Sequence, residues 1–224
     1  MSTISRGNKG EKAVVNVLKK EKLYHRLLND ITFLNEKSEM THQIDHILIH
    51  PHGVFVIETK NYYGEISTVP GESFWIKNIK GKIERINNPL KQNKNHVKIV
   101  DKLLEKKYEV ISLVVFAKNN APYLADENVI NIEDLLLFIE SYPYKKLISK
   151  DKIDDICAIL ESKSCDISKE EHVTNISYLR QIKKEIKAEI EYAIESRTCP
   201  RCGGKIIQKG DKYHCDKCDF KFNL

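Results

Sequence analysis

The sequence predicts an α/β protein: a mixed sheet flanked by helices, followed by a helical segment and a small metal-binding tail. Three observations carry this expectation. Strand-like and helix-like stretches interleave over residues 1–145, the pattern of a layered α/β domain. Beyond Pro143 the strand signals stop and only helical periodicity remains. At the C-terminus Cys199, Cys202, Cys215 and Cys218 form a C-x2-C-x12-C-x2-C pattern. The boundaries that follow are a main domain over 1–145, a helical connector over 146–196 and a tail over 197–224.

Taken in order, residues 8–20 (NKGEKAVVNVLKK) place Val14, Val15 and Leu18 at helical spacing after Gly7 and Gly10. A strand is expected over 30–34, then the hairpin IDHILIHPHGVFVIETK (44–60), turning at Pro-His-Gly. The stretch GEISTVPGESFWIKN (64–78) holds the single tryptophan and reads as further strands around a turn at Pro70-Gly71. Asn88 and Pro89 start a helix, as N-cap and first helical residue, and Leu90, Val97, Val100, Leu103 and Leu104 continue it. VISLVVFA (110–117) reads as a buried strand, NVINI (128–132) as a shorter one, and EDLLLFIESY (133–142) as a helix. In the connector, IDDICAILESK (153–163) is amphipathic, and Ser168-Lys-Glu-Glu171 has the form of a capping box. The helix it opens carries Ile176, Leu179, Ile182, Ile186, Ile190 and Ile194 on one stripe, a packing surface for the main domain or for a second subunit in a homodimer through 168–195.

With 224 residues, 41% of them hydrophobic and 31% charged, the chain has the composition of a folded protein with a real core. No apolar run reaches the roughly 20 residues of a membrane helix, and the N-terminal MSTISRGNKGEK lacks an apolar signal core. A cytoplasmic location without membrane attachment is therefore expected. Cysteines there stay reduced, which favours metal binding over disulfides. The net charge is +5, yet Lys77–Lys107 alone holds ten Lys/Arg against Glu84, Asp101 and Glu105. Such a belt is either a polyanion-facing surface or a solvated lysine-rich face.

In the tail, two Cys-x2-Cys knuckles supply four thiolates for a tetrahedral Zn2+, with Gly203-Gly204 turning the first. About 28 residues cannot build a core alone, so the metal is expected to supply most of the folding free energy. This segment resembles zinc ribbons, including those at the C-termini of bacterial type I topoisomerases. Tyr213, Phe220 and Phe222 either stack on bases or pack the ribbon; seven Lys/Arg against three Asp make it basic. Cys157 and Cys165 fall outside the pattern and read as buried or idle thiols.

The hairpin poses the sharper question. Asp45, Glu58 and Lys60 sit in apolar strands, where unpaired charge costs several kcal/mol unless something compensates it. A divalent cation does so, and Mg2+ held by two carboxylates supports phosphodiester hydrolysis by neutralising developing charge and activating water. Glu58 and Lys60, two apart on a strand, share one face roughly 7 Å apart. Thr59 points its side chain away, but its carbonyl remains available as a hard oxygen ligand. Asp45 joins them only with a two- or four-residue connection or a second bulge; a three-residue loop turns it to the other face. The competing reading is an ion pair of Glu58 with Lys60 on a sheet edge.

Asp, a gap, then Glu-x-Lys on adjacent strands resembles the PD-(D/E)XK nucleases. GNKGEK, QIDHILIHPHGVFVIETKNYYG and NPLKQNKNH, over roughly residues 5–140, are similar to their nuclease-related (NERD) branch. That resemblance implies a restriction-endonuclease-like sheet and a nuclease using Mg2+ or Mn2+, acting on phosphodiester bonds in DNA, with the zinc ribbon aiding nucleic-acid binding. By motif, Asp45 and Glu58 become metal ligands and Lys60 the catalytic lysine. Glu11 contacts the metal through water, and Gln92 lines the cleft. Ile44 stands where the wider superfamily has a proline. The alternatives are a non-catalytic nucleic-acid-binding or protein-recruiting module on the same fold, and an RNA-directed nuclease.

Overall fold

The computed structural model describes residues 3–35, 40–68, 71–118 and 128–223. Pro70, half of the expected Pro70-Gly71 turn, and Met1 and Ser2 lie outside the described residues. Helix α1 (Thr3–Leu18) contains Gly7 and Gly10, which the sequence pattern placed ahead of it. Packing explains their presence inside a helix. A Cβ at Gly10 would stand 2.8 Å from Asn61 Cβ and 3.3 Å from Ala117 Cβ. Glycine costs about 1 kcal/mol of helix propensity here but lets α1 lie directly on the sheet.

Strands β1 (Arg26–Asn35), β2 (Met40–His50) and β3 (Gly53–Lys60) form an antiparallel set. After β3 come three short strands, β4 (Glu65–Ser67), β5 (Phe74–Ile79) and β6 (Lys82–Asn87), which make their own sheet. Helix α2 (Pro89–Leu103) follows, with the Asn88 side chain accepting from Leu90 N–H at 3.0 Å, as an N-cap does. Strands β7 (Val110–Phe116) and β8 (Val129–Asn131) then run parallel to β3, giving the order β1-β2-β3-β7-β8. A 3-10 turn at Ile132–Asp134 leads into α3 (Leu135–Ser141), and α4 (Lys150–Lys163) follows.

The sheet is covered on both faces, which is why its central strand reads as a continuous apolar run. Val54 and Val56 of β3 face a core layer shared with α2 and α4, through Val100, Ile153, Ile156 and Leu160. Phe55 and Ile57 face the other layer, with Val14 and Leu18 of α1 and Leu135 and Ile139 of α3. Trp75 is buried, with its ring against Phe116 at 6.2 Å, and so anchors the small sheet to the main one. Fully buried Asn93 donates to the Val56 carbonyl at 2.8 Å and to the Leu113 carbonyl at 3.2 Å, tying α2 to β3 and β7.

His46 and His50 are buried, and His50 Nε2 lies 3.7 Å from Glu21 Oε1. Burial pushes the His50 ring down to about 4, against the attraction of Glu21 and with help from His52. The unfolded chain therefore takes up this proton near its ordinary 6.5, while the folded chain resists until about 4. Stability from this site is present above pH 6.5 and is lost as pH falls toward 4, by up to about 3 kcal/mol. Other groups titrate in the same window, so the observable is a difference. Between pH 7 and 4.5 the wild type should lose more melting temperature than His50→Gln; equal losses would refute this account.

The chain divides into two compact units, 1–167 and 168–224. The helical stretch expected as a connector over 146–196 is thereby split. Its first part, α4, belongs to the first unit because Ile153, Ile156 and Leu160 complete a core layer there. Its second part, α5 (Lys169–Ser196), belongs to the second unit and starts with the expected capping box at Ser168 and Glu171. Within that unit Ile190, Ala193 and Ile194 pack on the tail, so the end of the isoleucine stripe serves the ribbon. The tail is a three-stranded sheet of β9 (Ile206–Lys209), β10 (Lys212–Cys215) and β11 (Lys221–Asn223). Among the described residues, no helix is long and apolar enough to cross a membrane.

Candidate functional site

The connection between β2 and β3 has the two-residue length that the site reading asks for. His50 pairs with Gly53 and His46 with Ile57, so Pro51-His52 is a two-residue connection and Asp45 stands opposite Glu58, one step past the paired ladder. Asp45 Oδ2 accepts from the Thr59 N–H at 2.8 Å, in place of the next ladder bond. Glu58 and Lys60, in step with Val54 and Val56, face α2. The Lys60 ammonium donates to Glu58 Oε1 and, at 3.4 Å, to Gln92 Oε1. Gln92 thus reaches the centre from the first turns of α2. One helical turn on, His96 brings Nδ1 to 3.6 Å from Glu58 Oε2. The pattern reading missed His96, although its i,i+4 spacing from Gln92 on the same helix marks it.

Glu11 lies on α1, beside the glycine that lets the helix approach, and lines a hollow of about 350 Å3 with Asp45, His46 and Asn29. Valine at position 10 should lever α1 away, lowering stability by about 2 kcal/mol. A melting temperature unchanged in Gly10→Val would show that the helix contact is not needed. Asp30 of β1 takes a left-handed backbone, φ 55°, and interrupts the β1–β2 ladder opposite Asp45. Asp30 lines the same hollow as Asp45.

The electrostatics are those of one negative charge too many. Burial first, then the charge of Glu58, raises the Asp45 carboxyl to about 8, with the Thr59 N–H pulling the other way. Lys60 is shifted upward: burial, the largest single effect, opposes its charge, but Glu58, Tyr62 and Asp45 together outweigh it. Glu58 itself is buried. The exposed edge ion pair considered from the sequence is therefore not what the structure contains. Two carboxylates and one ammonium in a half-closed site fit a hard divalent cation, which is commonly held by one or two carboxylates with waters completing its shell. The Thr59 N–H points toward Asp45, away from β7, and the carbonyl of the same residue lies on that edge as well.

The cysteines converge more fully. The four Sγ atoms of Cys199, Cys202, Cys215 and Cys218 lie within 4.8 Å of one another, and no other group of three or more such ligands converges among the described residues. Cys199 and Cys218 are 3.6 Å apart and Cys202 and Cys215 3.4 Å, close to the ~3.8 Å edge of a tetrahedron with 2.3 Å Zn–S bonds. Gly204 is required here: a Cβ would stand 2.7 Å from Cys215 Sγ. Desolvation raises the Cys199 thiol, yet N–H groups of Arg201 and Cys202 bring it down to about 7. The cluster can hold zinc. Tyr213 and Phe222 stack on each other at 4.8 Å and, with Phe220, are buried, so these aromatics pack the ribbon.

A family model described as nuclease-related domain matches residues 6–117. The chain belongs to the NERD family. That span contains α1 from Arg6 onward, the antiparallel strands, α2 and β7, and with them Glu11, Asp45, Glu58, Lys60 and Gln92. A Bacillus anthracis protein, described only as uncharacterized, is 36% identical over 144 residues, covering 61% of this chain and 67% of that relative. No solved structure matches the chain at a significant level. The NERD domain thus rests on a mixed five-stranded sheet flanked by helices, and a four-cysteine centre follows it.

Proposed function

We propose that this NERD protein is a divalent-metal-dependent nuclease that hydrolyses phosphodiester bonds in DNA. The observation that carries the reading is Asp45 opposite Glu58, bonded to the Thr59 N–H, with Lys60 paired to Glu58 at the end of the β2–β3 ladder. Asp45, Glu58 and the Thr59 carbonyl would hold Mg2+ or Mn2+, which supplies charge neutralisation and an activated water. Lys60, anchored between Glu58 and Gln92, is placed to stabilise negative charge on the phosphoryl oxygens or to orient the attacking water. His96 Nδ1 lies 3.6 Å from the second oxygen of Glu58 and adds a polar neighbour to the carboxylate. Glu11 acts from α1, through water.

The basic belt supports the substrate class. Lys77, Lys80, Lys82 and Arg85 lie on or between β5 and β6, while Lys91, Lys94, Lys98 and Lys102 follow on α2. Lysines that neutralise phosphates make binding strongly salt-dependent. The zinc ribbon, with Arg201, Lys205, Lys209, Lys212, Lys217 and Lys221, adds a second basic element for nucleic acid. Reduced zinc-binding thiols fit a cytoplasmic setting. The exposed Tyr178 and Ile186 of α5 fit a second copy of the chain.

The test is cleavage of supercoiled plasmid and of single-stranded DNA with Mg2+, with Mn2+ and with EDTA, by wild type and Glu58→Gln. Metal-dependent cutting by the wild type, lost in EDTA and in Glu58→Gln, is the expected result. Binding of DNA without cleavage under any metal would instead favour a nucleic-acid-binding module on a nuclease fold.

A further inference from the structure

A second site lies at the other end of β3. There His52 and Gly53 border a hollow of about 700 Å3, lined by Lys106, Lys107, Lys145, Lys146 and Lys152. Strand β3 runs from Gly53 to Lys60, so this hollow stands roughly 20 Å from the carboxylate centre. Against five lysines the lining offers one carboxylate, Glu109. Lys107 is paired with Glu105 at 2.5 Å and Lys152 with Asp155 at 2.8 Å. Lys106, Lys145 and Lys146 have no carboxylate within ion-pair distance among the described residues.

The backbone around the hollow is also unusual. After α2 the chain passes through two successive left-handed residues, Glu105 at φ 53° and Lys106 at φ 57°, neither of them glycine. Each costs on the order of 1 kcal/mol, and together they turn the chain so that Lys106 and Lys107 line the hollow. From the other side α4 begins at the rim. Its N-cap, Ser149, lines the hollow and makes no side-chain cap bond. The hydroxyl and the first-turn N–H groups of this 14-residue helix thus add anion donors to the lysines.

The remaining wall is not cationic. Leu147, 53% exposed, stands with Ile148 and Tyr108 along the same hollow. The His52 ring is held flat against Tyr144, 4.5 Å between centroids and 18° between planes, with Nδ1 2.9 Å from the Ile139 carbonyl oxygen. A ligand that satisfies both halves has a run of negative charge at one end and a flat, weakly polar ring at the other. The volume falls in the range of ordinary small-molecule sites.

We propose that this hollow binds a nucleoside polyphosphate, separately from the cleavage centre and whether or not that centre is a nuclease. Lys106, Lys145, Lys146 and the start of α4 hold the phosphates; His52, Tyr108 and Leu147 hold the base. The exposed Lys106, Lys145 and Lys146, which would repel one another in the empty hollow, are neutralised when it fills.

The experiment is calorimetric titration of the zinc-loaded full chain, without added Mg2+ or Mn2+, with ATP, with tripolyphosphate and with a single-stranded oligonucleotide. Wild type and Lys60→Ala should bind ATP alike and more tightly than tripolyphosphate. The double variant Lys106→Glu/Lys146→Glu should lose at least about tenfold in affinity for both, the scale of two charge-assisted contacts. Leu147→Asp should weaken ATP more than tripolyphosphate. Melting curves matching wild type keep the double variant and Leu147→Asp interpretable as folded, and Lys60→Ala is titrated below its own lowered melting transition. No saturable ATP binding, ATP binding unchanged in the double variant, or a preference of this hollow for the oligonucleotide over ATP would each overturn the proposal. Loss of binding in Lys60→Ala would also overturn it, by placing the ligand at the cleavage centre.

Discussion

Lys60→Ala is expected to slow metal-dependent DNA cleavage by about a hundred- to a thousandfold, with kcat falling and KM for DNA little changed. The reason is placement. The ammonium is held by Glu58 on its own strand and by Gln92 from α2, so it cannot drift toward solvent to bind DNA generally. Its charge is available where charge develops during hydrolysis, whereas the belt lysines act on the substrate before and after the reaction alike. The substitution also leaves the buried Glu58 facing only His96, so the metal-free variant should lose about 3 kcal/mol of stability. Saturating Mg2+ should return part of this, since a cation bound to the folded state at a hundred times its Kd adds about 2.7 kcal/mol. A kcat within a factor of two of wild type would remove Lys60 from the chemistry.

Cys218→Ala, or a strong chelator, should abolish the folded ribbon while the first unit melts as before. The apolar cluster of the tail is small: Ile206, Tyr213, Phe220 and Phe222 with parts of two cysteines and the end of α5. A core of that size supplies little net stability, whereas four thiolates on zinc contribute on the order of 10 kcal/mol. The measurements are zinc content per chain, expected to fall from one to zero, and the near-ultraviolet signal of the Tyr213–Phe222 stack. Retention of stoichiometric zinc in Cys218→Ala would disprove the four-cysteine centre.

Much of this architecture was legible from periodicity because the forces that set it are local or patterned. The capping box at Ser168, the Asn88-Pro89 start of α2 and the paired Cys-x2-Cys knuckles each encode their own geometry within a few residues. Where the reading slipped, a distant partner decided. Gly7 and Gly10 resemble helix breakers until α1 meets Asn61 and Ala117. Nothing local to His50 announces that it will be buried beside Glu21. Helix α4 looked like a connector because its amphipathic pattern does not say which sheet face will take it.

The candidate site divides in the same way. Residue types and spacing alone specified the chemistry on offer: a Glu-x-Lys on one strand face, an aspartate across a hairpin, and a four-thiolate tail. Tertiary structure alone decided whether Asp45 joins Glu58, because that rests on a two-residue turn and a ladder that ends one step early. It also brought His96 to Glu58 and gathered the lysines of three separate segments around one hollow. Strand alternation and capping are written over neighbouring residues, whereas the meeting of distant side chains depends on which faces the folded core brings together.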